Sequence, residues 1–265
     1  GMLWHDMMRE WDKPALERLK NKADLVLWSY GGDPLVDSPH HISEEITERF
    51  QAAGIELWGA AAYKGADGHN VDLPNYEGRG KNIFLWASKT APQVGLKGVI
   101  TTAWSRYHHC MCQVEPIDSA LDSLVNHGLI MHEGKLPEGG RETVLALLAE
   151  LGEGERFDAC YAAMKTLEDH RKTAWFNIQM GREEVITVSR DKLRADAIAV
   201  NTVRTLKGLV KKNFDIYQQV MAAFAGLVDP LWMDRYVAER VEPIVTETLQ
   251  IEALVNEAYL WCRER

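Results

Sequence analysis

Apolar positions in the first hundred residues come in short continuous runs, whereas beyond about residue 140 they recur every three or four positions. A short continuous run suits a strand buried on both faces, and a three-four spacing suits one face of a helix. Four runs predict strands: Met2–Trp4, Leu25–Trp28, Ile55–Tyr63 and Gly98–Trp104, the last rich in β-branched residues. Helix signals lie between them. Pro14 opens one, with Leu16 and Leu19 on one side. Ser43 can cap a second, with Ile46 and Phe50 inward, and Ile83, Trp86 and Ala87 mark a third. This order and spacing suit four βα units.

The second pattern gives three long amphipathic stripes. The first runs through Phe157, Cys160, Met164, Leu167, Ala174 and Ile178. Leu193, Ala197, Val200, Val203, Leu206, Val210, Phe214, Tyr217, Met221 and Phe224 form the next, with Ser189 as its cap. The third holds Trp232, Tyr236, Val241, Ile244, Ile251, Val255 and Cys262, entered through Asp229 as N-cap and Pro230 at the first helical position. Together they predict an antiparallel helical bundle. Residues 1–140 hold 15 of the 20 glycines and seven of the nine prolines, which places the change of architecture near residue 135. The expectation is an α/β domain over 1–135 and a helical bundle over 136–265.

Composition narrows the function classes. With 46% hydrophobic and 26% charged residues the chain has a globular balance. No apolar run reaches the ~18 residues of a spanning helix. A net charge of −9 argues against neutralising phosphates. Neither a membrane nor a nucleic-acid partner is expected. Cys110, Cys112, Cys160 and Cys262 do not make a disulfide framework. Cys110 and Cys112, beside His108 and His109, lack the second ligand pair of a zinc site, so reduced cysteines, no metal and no cofactor are expected. A basic, apolar leader is not visible, and the expected compartment is the cytoplasm.

Candidate chemistry sits at the strand ends. Three strands finish alike: Trp4-His5-Asp6, Trp28-Ser29-Tyr30 and Trp104-Ser105-Arg106. Residues two apart on a strand share a face, so each end presents a tryptophan with a polar group. The remaining run ends Tyr63-Lys64-Gly65. Barrels built of βα units carry their active sites at this end. Aromatic faces stack on the C–H faces of a pyranose while polar groups take its hydroxyls. One such tryptophan would be read as interior filling; three with the same ending favour a sugar pocket. Trp175 and Trp232 are read as bundle core, and Trp11, Trp58, Trp86 and Trp261 as packing.

The same segments resemble the hexosaminidase D-type enzymes of glycoside hydrolase family 20. Leu3-Trp4-His5-Asp6-Met7-Met8-Arg9 resembles their W-D-D-M stretch, and Leu27-Trp28-Ser29-Tyr30 their next strand. Ala61-Ala62-Tyr63-Lys64-Gly65-Ala66 is similar to their S-A-F-K-G-A. Gly98-Val99-Ile100-Thr101-Thr102-Ala103-Trp104-Ser105-Arg106-Tyr107 is close to their G-I-I-x-T-G-W-x-R-Y, the most specific match. The resemblance covers roughly residues 2–130. It implies the second half of a (β/α)₈ barrel that removes terminal N-acetylhexosamines, with the sugar's own acetamide as nucleophile. It further implies that Trp4, Trp28 and Trp104 line the sugar pocket and that Tyr63 lies near the acetamide. Asp6, Lys64, Asp67 and Arg106 would be polar rim residues, with Tyr30 also a binding candidate.

The departures are as informative. The matching strands correspond to the family's strands five to eight, whereas its catalytic Asp-Glu pair ends strand four. No Asp-Glu dipeptide occurs in the 265 residues. Glu44-Glu45 and Glu183-Glu184 read as solvated helix positions, and His5 replaces one aspartate of W-D-D-M. No buried acid of the kind glycoside hydrolysis needs is legible, and no catalytic residue is assigned. The expectation is therefore the C-terminal half of a β-N-acetylhexosaminidase-like enzyme, incomplete for catalysis alone, with an N-acetylhexosamine-containing glycan as partner. A non-catalytic carbohydrate-binding or scaffold protein is the alternative, and an interaction protein working through its bundle the third reading. Half a barrel leaves two open sheet edges, which predicts a homodimer, a separate N-terminal half or the chain's own helices as cover. A leader peptide on such a half would change the expected compartment.

Overall fold

Two compact units divide the chain, Gly1–Asp158 and Ala159–Arg265. The structure is a computed structural model; it describes residues 1–39, 41–68, 71–106, 113–190 and 192–264, of which 192–199 and 262–264 by backbone alone.

In the first unit, β1 (Met2–Trp4), β2 (Asp24–Trp28), β3 (Leu57–Lys64) and β4 (Val99–Ala103) form one parallel sheet in the order β1-β2-β3-β4. Each strand falls on one of the four apolar runs. Leu3 is level with Leu25 and Leu25 with Leu57; Trp4 is level with Val26 and Val26 with Trp58. Alternation along each strand then separates two faces. One face, with Leu25, Leu27, Leu57, Ala61 and Val99, packs into the core beneath the helices. The other carries Trp4, Val26, Trp28, Trp58, Ile100 and Thr102.

The helices start where their capping chemistry allows. The short α1 (Lys13–Glu17) begins at Asp12, whose carboxylate accepts the amide of Ala15. In α2 (Glu44–Ala52) the Ser43 hydroxyl accepts the amide of Ile46 at 3.2 Å, as expected of that cap. Asn75 caps α3 (Tyr76–Leu85), which runs through a π-helical turn, Trp86–Thr90, into α4 (Ala91–Val94). Then come α5 (Leu121–Glu133) and α6 (Arg141–Glu150), which lie astride the compositional change at 135 and both belong to this unit. Trp86 is fully buried, its indole N–H donates to the Ser29 carbonyl at 2.9 Å, and its ring lies against Gly59, where a Cβ would come within 2.7 Å. That absence of a side chain lets α3 and its π turn sit close on β3.

Among the described residues β1 and β4 each pair on one side only. Met2, Leu3 and Trp4 on the β1 edge are 47%, 42% and 38% exposed. The α/β-plus-helical expectation thus holds as a four-stranded parallel sheet with helices around it, followed by long helices.

The second unit holds most of α7 (Gly154–Arg190), all of α8 (Lys192–Ala223) and α9 (Pro230–Glu264). Hydrogen bonds set the directions. His170 meets Asn213 and Glu184 meets Thr202, so α7 and α8 run antiparallel; Lys207 meets Glu252 and Tyr217 meets Asp234, so α8 and α9 do too. Asp229 caps α9 by accepting the Trp232 amide at 3.0 Å. All six residues of the first stripe are buried. The stripe through α8 is the expected one in part: Leu206 and Phe224 are buried and Val203 and Val210 pack against the core, while the side chains of Leu193 and Ala197 lie outside the described residues. Its buried line is Thr202, Leu206, Leu209, Asn213, Ile216, Val220 and Phe224, while Val200 and Phe214 are exposed. Ser189 is not a cap, since it lies inside α7 and its hydroxyl donates back to the Ile186 carbonyl. Trp175 and Trp232 are partly buried, the latter stacked on Tyr236. Trp11 and Trp261, read as packing, are exposed on the surface. Among the described residues no helix is long and apolar enough to cross a membrane.

Candidate functional site

The C-terminal ends of the four strands open into one cleft of about 440 Å³, lined by Trp4, Asp6, Trp28, Tyr30, Gly65, Ala66, Trp104 and Arg106. This is within the range of small-molecule sites. Six of the nine residues singled out in the sequence meet here. Parallel register is the reason: Trp4 and Trp28 occupy the same sheet face on adjacent strands, and the chain leaves β4 with Trp104 on that side.

The walls are aromatic and mutually packed. The rings of Trp28 and Tyr30 stack at 5.1 Å, Tyr30 meets Trp104 edge-on at 6.0 Å, and Trp104 lies 5.7 Å from Trp4. Polar groups punctuate them. The Trp28 indole N–H donates to the Asp6 carboxylate at 3.3 Å. The Tyr30 hydroxyl faces Trp104 and Thr102, yet neither it nor the Trp104 indole N–H makes a hydrogen bond of good geometry. Burial pushes the Tyr30 phenol up to about 12, so it stays a neutral donor. Both groups are buried within the wall, the hydroxyl beside the indole. The cleft therefore offers flat apolar faces, a carboxylate and a guanidinium.

Tyr63, Lys64 and Asp67 are placed elsewhere. Tyr63 has the opposite strand parity and lies edge-on to His127 of α5. Lys64 follows a register shift in β3 and is buried, its ammonium donating to the Trp104 carbonyl at 2.6 Å. Asp67 is held by Arg79 of α3, at 2.6 Å, and accepts the Asn75 amide. His5 is wholly buried, with its ring nitrogens 3.2 and 3.0 Å from the Val26 and His41 carbonyls; burial lowers its pKa.

Two groups behind the cleft were not legible. Arg79 donates to the carbonyls of Tyr30 and Ala66 as well as to Asp67. Glu115 is 1% exposed, and one of its oxygens accepts the Gly65 amide at 2.5 Å. Burial raises its pKa, opposed by that amide and by Lys64. Asp122 is likewise buried and raised, and binds Arg141 at 2.7 Å. Buried acids are thus present, contrary to the sequence reading, but neither lines the cleft. Nothing in a single sequence marks Glu115, which follows a segment of mixed character and stands alone among apolar neighbours.

Among the described residues no group of three or more His, Cys, Asp or Glu side chains is placed to hold a metal ion. The His108, His109, Cys110 and Cys112 cluster lies outside the described residues.

Comparison with known proteins finds curated relatives of one kind. The chain is 32% identical to hexosaminidase D of Bos taurus over 123 residues, 44% of this chain and 34% of that protein. It is 28% identical to hexosaminidase D of Homo sapiens over 152 residues, 56% of this chain and 30% of that protein. No family model matches. The matches support a hexosaminidase-like relationship over about half the chain, and they span about a third of the length of these curated relatives.

Proposed function

We propose that the cleft takes a terminal N-acetylhexosamine of a glycan, and that this chain supplies the sugar-binding walls of a hexosaminidase-like, family 20-type site. The convergence of Trp4, Asp6, Trp28, Tyr30, Trp104 and Arg106 on one cleft carries this reading. Trp4, Trp28 and Trp104 offer faces for the C–H side of a pyranose. Asp6 and Arg106 suit ring hydroxyls.

On this reading the chain binds sugar without hydrolysing it. Acid catalysis requires a carboxyl within hydrogen-bond reach of the leaving oxygen. Glu115 is committed to the Gly65 amide behind the wall and Asp122 to Arg141. Asp6 accepts the Trp28 indole N–H at 3.3 Å.

Calorimetric titration with N-acetylglucosamine, N-acetylgalactosamine and glucose tests the proposal. The N-acetylated sugars should bind and glucose should not. Equal binding of all three, or of none, overturns it. A chromogenic N-acetylglucosaminide should stay intact; its hydrolysis, abolished by a carboxylate substitution, would overturn the binding-only assignment.

A further inference from the structure

We infer that Arg79 is the positioning residue of the cleft: one buried guanidinium sets the distance between the wall that follows β2 and the wall that follows β3. The inference rests on the sugar-site reading for its ligand, and on geometry for everything else.

The cleft has no continuous secondary structure at its rim. Tyr30 belongs to the turn after β2, and Gly65 and Ala66 to the turn after β3. Strand pairing ends below both: the last β2–β3 partners are Trp28 and Ala60. Above that level another contact must hold the turns in register. Arg79 supplies it from α3. One terminal nitrogen donates to the Tyr30 carbonyl, while the other donates to the Ala66 carbonyl at 3.3 Å and to Asp67 Oδ1 at 2.6 Å. Nε adds a second bond to the same oxygen at 3.1 Å. The guanidinium is rigid and planar, so its donors fix these acceptors relative to one another.

Arg79 is itself fixed. It is 7% exposed, and Asp67 is its partly buried counter-ion. The second oxygen of Asp67 accepts the amide of Asn75, the cap of the same helix. Removing the guanidinium would leave two carbonyls and a partly buried carboxylate without their donor, which is costly enough to move the turns. The shift would spread along the wall, because Tyr30 stacks on Trp28 and abuts Trp104. Lysine cannot replace it: a single ammonium cannot span three acceptors in one plane. Asp67 acquires its role here too. It does not touch the sugar but anchors the residue that shapes the sugar's seat.

Four proteins test this: the wild type, Arg79→Lys, Arg79→Ala and Asp67→Asn. Each is titrated with N-acetylglucosamine, and the indole N–H resonances are read by NMR, with Trp28→Phe and Trp104→Phe identifying the signals. Arg79→Lys should keep the wild-type circular dichroism, shift the Trp28 and Trp104 resonances and bind sugar about tenfold more weakly or worse. Arg79→Ala should do the same more strongly, and millimolar guanidinium should restore both the resonances and the affinity. A purely structural loss of packing would not respond to guanidinium. Unchanged resonances and affinity in Arg79→Lys overturn the inference. If Arg79→Ala fails to fold, Arg79→Lys and Asp67→Asn decide alone, since they keep most of the buried volume. If the wild type binds no sugar, the sugar reading falls, while the resonance shifts and their rescue still decide the role of Arg79.

Discussion

The indole rings of Trp4 and Trp104 lie 5.7 Å apart, although their strands are the two opposite edges of the sheet. Four strands at the usual spacing put β1 and β4 about 14 Å apart along the hydrogen-bonding direction. Side chains from both edges touch because the two long indoles lean toward each other across the aromatic face. The cleft is the space left between them. Trp104→Ala removes the residue that meets both Trp4 and Tyr30, and should weaken N-acetylglucosamine binding about tenfold or more, with the melting temperature little changed. Trp104→Phe should lie between. Calorimetry beside a thermal melt separates the two effects.

Gly65 should be intolerant of a side chain in a way that Gly95 is not. Both have positive φ, +80° and +72°, so alanine is strained at either. At Gly65 a Cβ would also sit 2.4 Å from the Trp104 carbonyl oxygen, whereas at Gly95 nothing lies within 4 Å. Gly95→Ala should cost about 1 kcal/mol from the backbone alone. Gly65→Ala should cost about 2–4 kcal/mol and should also weaken sugar binding, because it pushes two cleft walls apart. Urea titrations of both variants give the comparison.

The contribution of the buried histidines to stability should fall as the pH drops from about 6.5 toward 4. His127 is buried and its pKa is lowered to about 4 by loss of solvent, with one ring nitrogen 2.7 Å from Thr101 Oγ1. A base whose folded pKa lies below its unfolded value is protonated first in the unfolded state. Its contribution is therefore intact above the unfolded pKa and lost as pH falls toward the folded one. For His127 this is on the order of 3 kcal/mol. His41 is lowered to about 4 as well, but it is more exposed and should contribute less. Urea midpoints at pH 7 and pH 4.5 should differ, and His127→Gln should reduce the difference.

The open edges should be covered in solution. Met2, Leu3 and Trp4 present apolar side chains beside unpaired strand amides and carbonyls. Two copies that pair β1 of each against β4 of the other would cover both edges without reversing the strand order. Light scattering should give about twice the chain mass, and Leu3→Lys should shift it toward the monomer. A monodisperse wild-type monomer would rule the dimer out.

The strands were legible because apolar runs bounded by glycine have few other readings, and three site tryptophans were legible because they share one offset from their strand ends. Tyr63 shows the limit. It occupies the same place in its motif, but the register of β3 against β2 gives it the parity of Leu57 and Ala61, and it turns to the helices. Register is a property of strand pairs, which a single strand does not carry. Lys64 and Asp67 were recognised as polar and read as rim; their partners, Trp104, Glu115 and Arg79, approach from as many as 51 residues away. Along α8 the expected stripe and the buried line share Leu206 and Phe224 and part at Val200 and Phe214, which are exposed. The buried line contains Asn213 and Thr202, which a reading that follows apolar residues passes over. Asn213 belongs there because His170 and the Val241 carbonyl satisfy its amide.

The hundred residues between Trp4 and Trp104 also set an order of events during folding. Contacts in the helical unit join neighbouring helices and close small loops, whereas the cleft needs the first and last strands of the sheet to meet. Long-range closure of this kind is slow compared with helix formation. In refolding, helicity should return first and the mutual quenching of the cleft tryptophans last. The binding surface is thus the final product of assembly, and a chain stalled short of that step would be largely helical yet unable to hold a ligand.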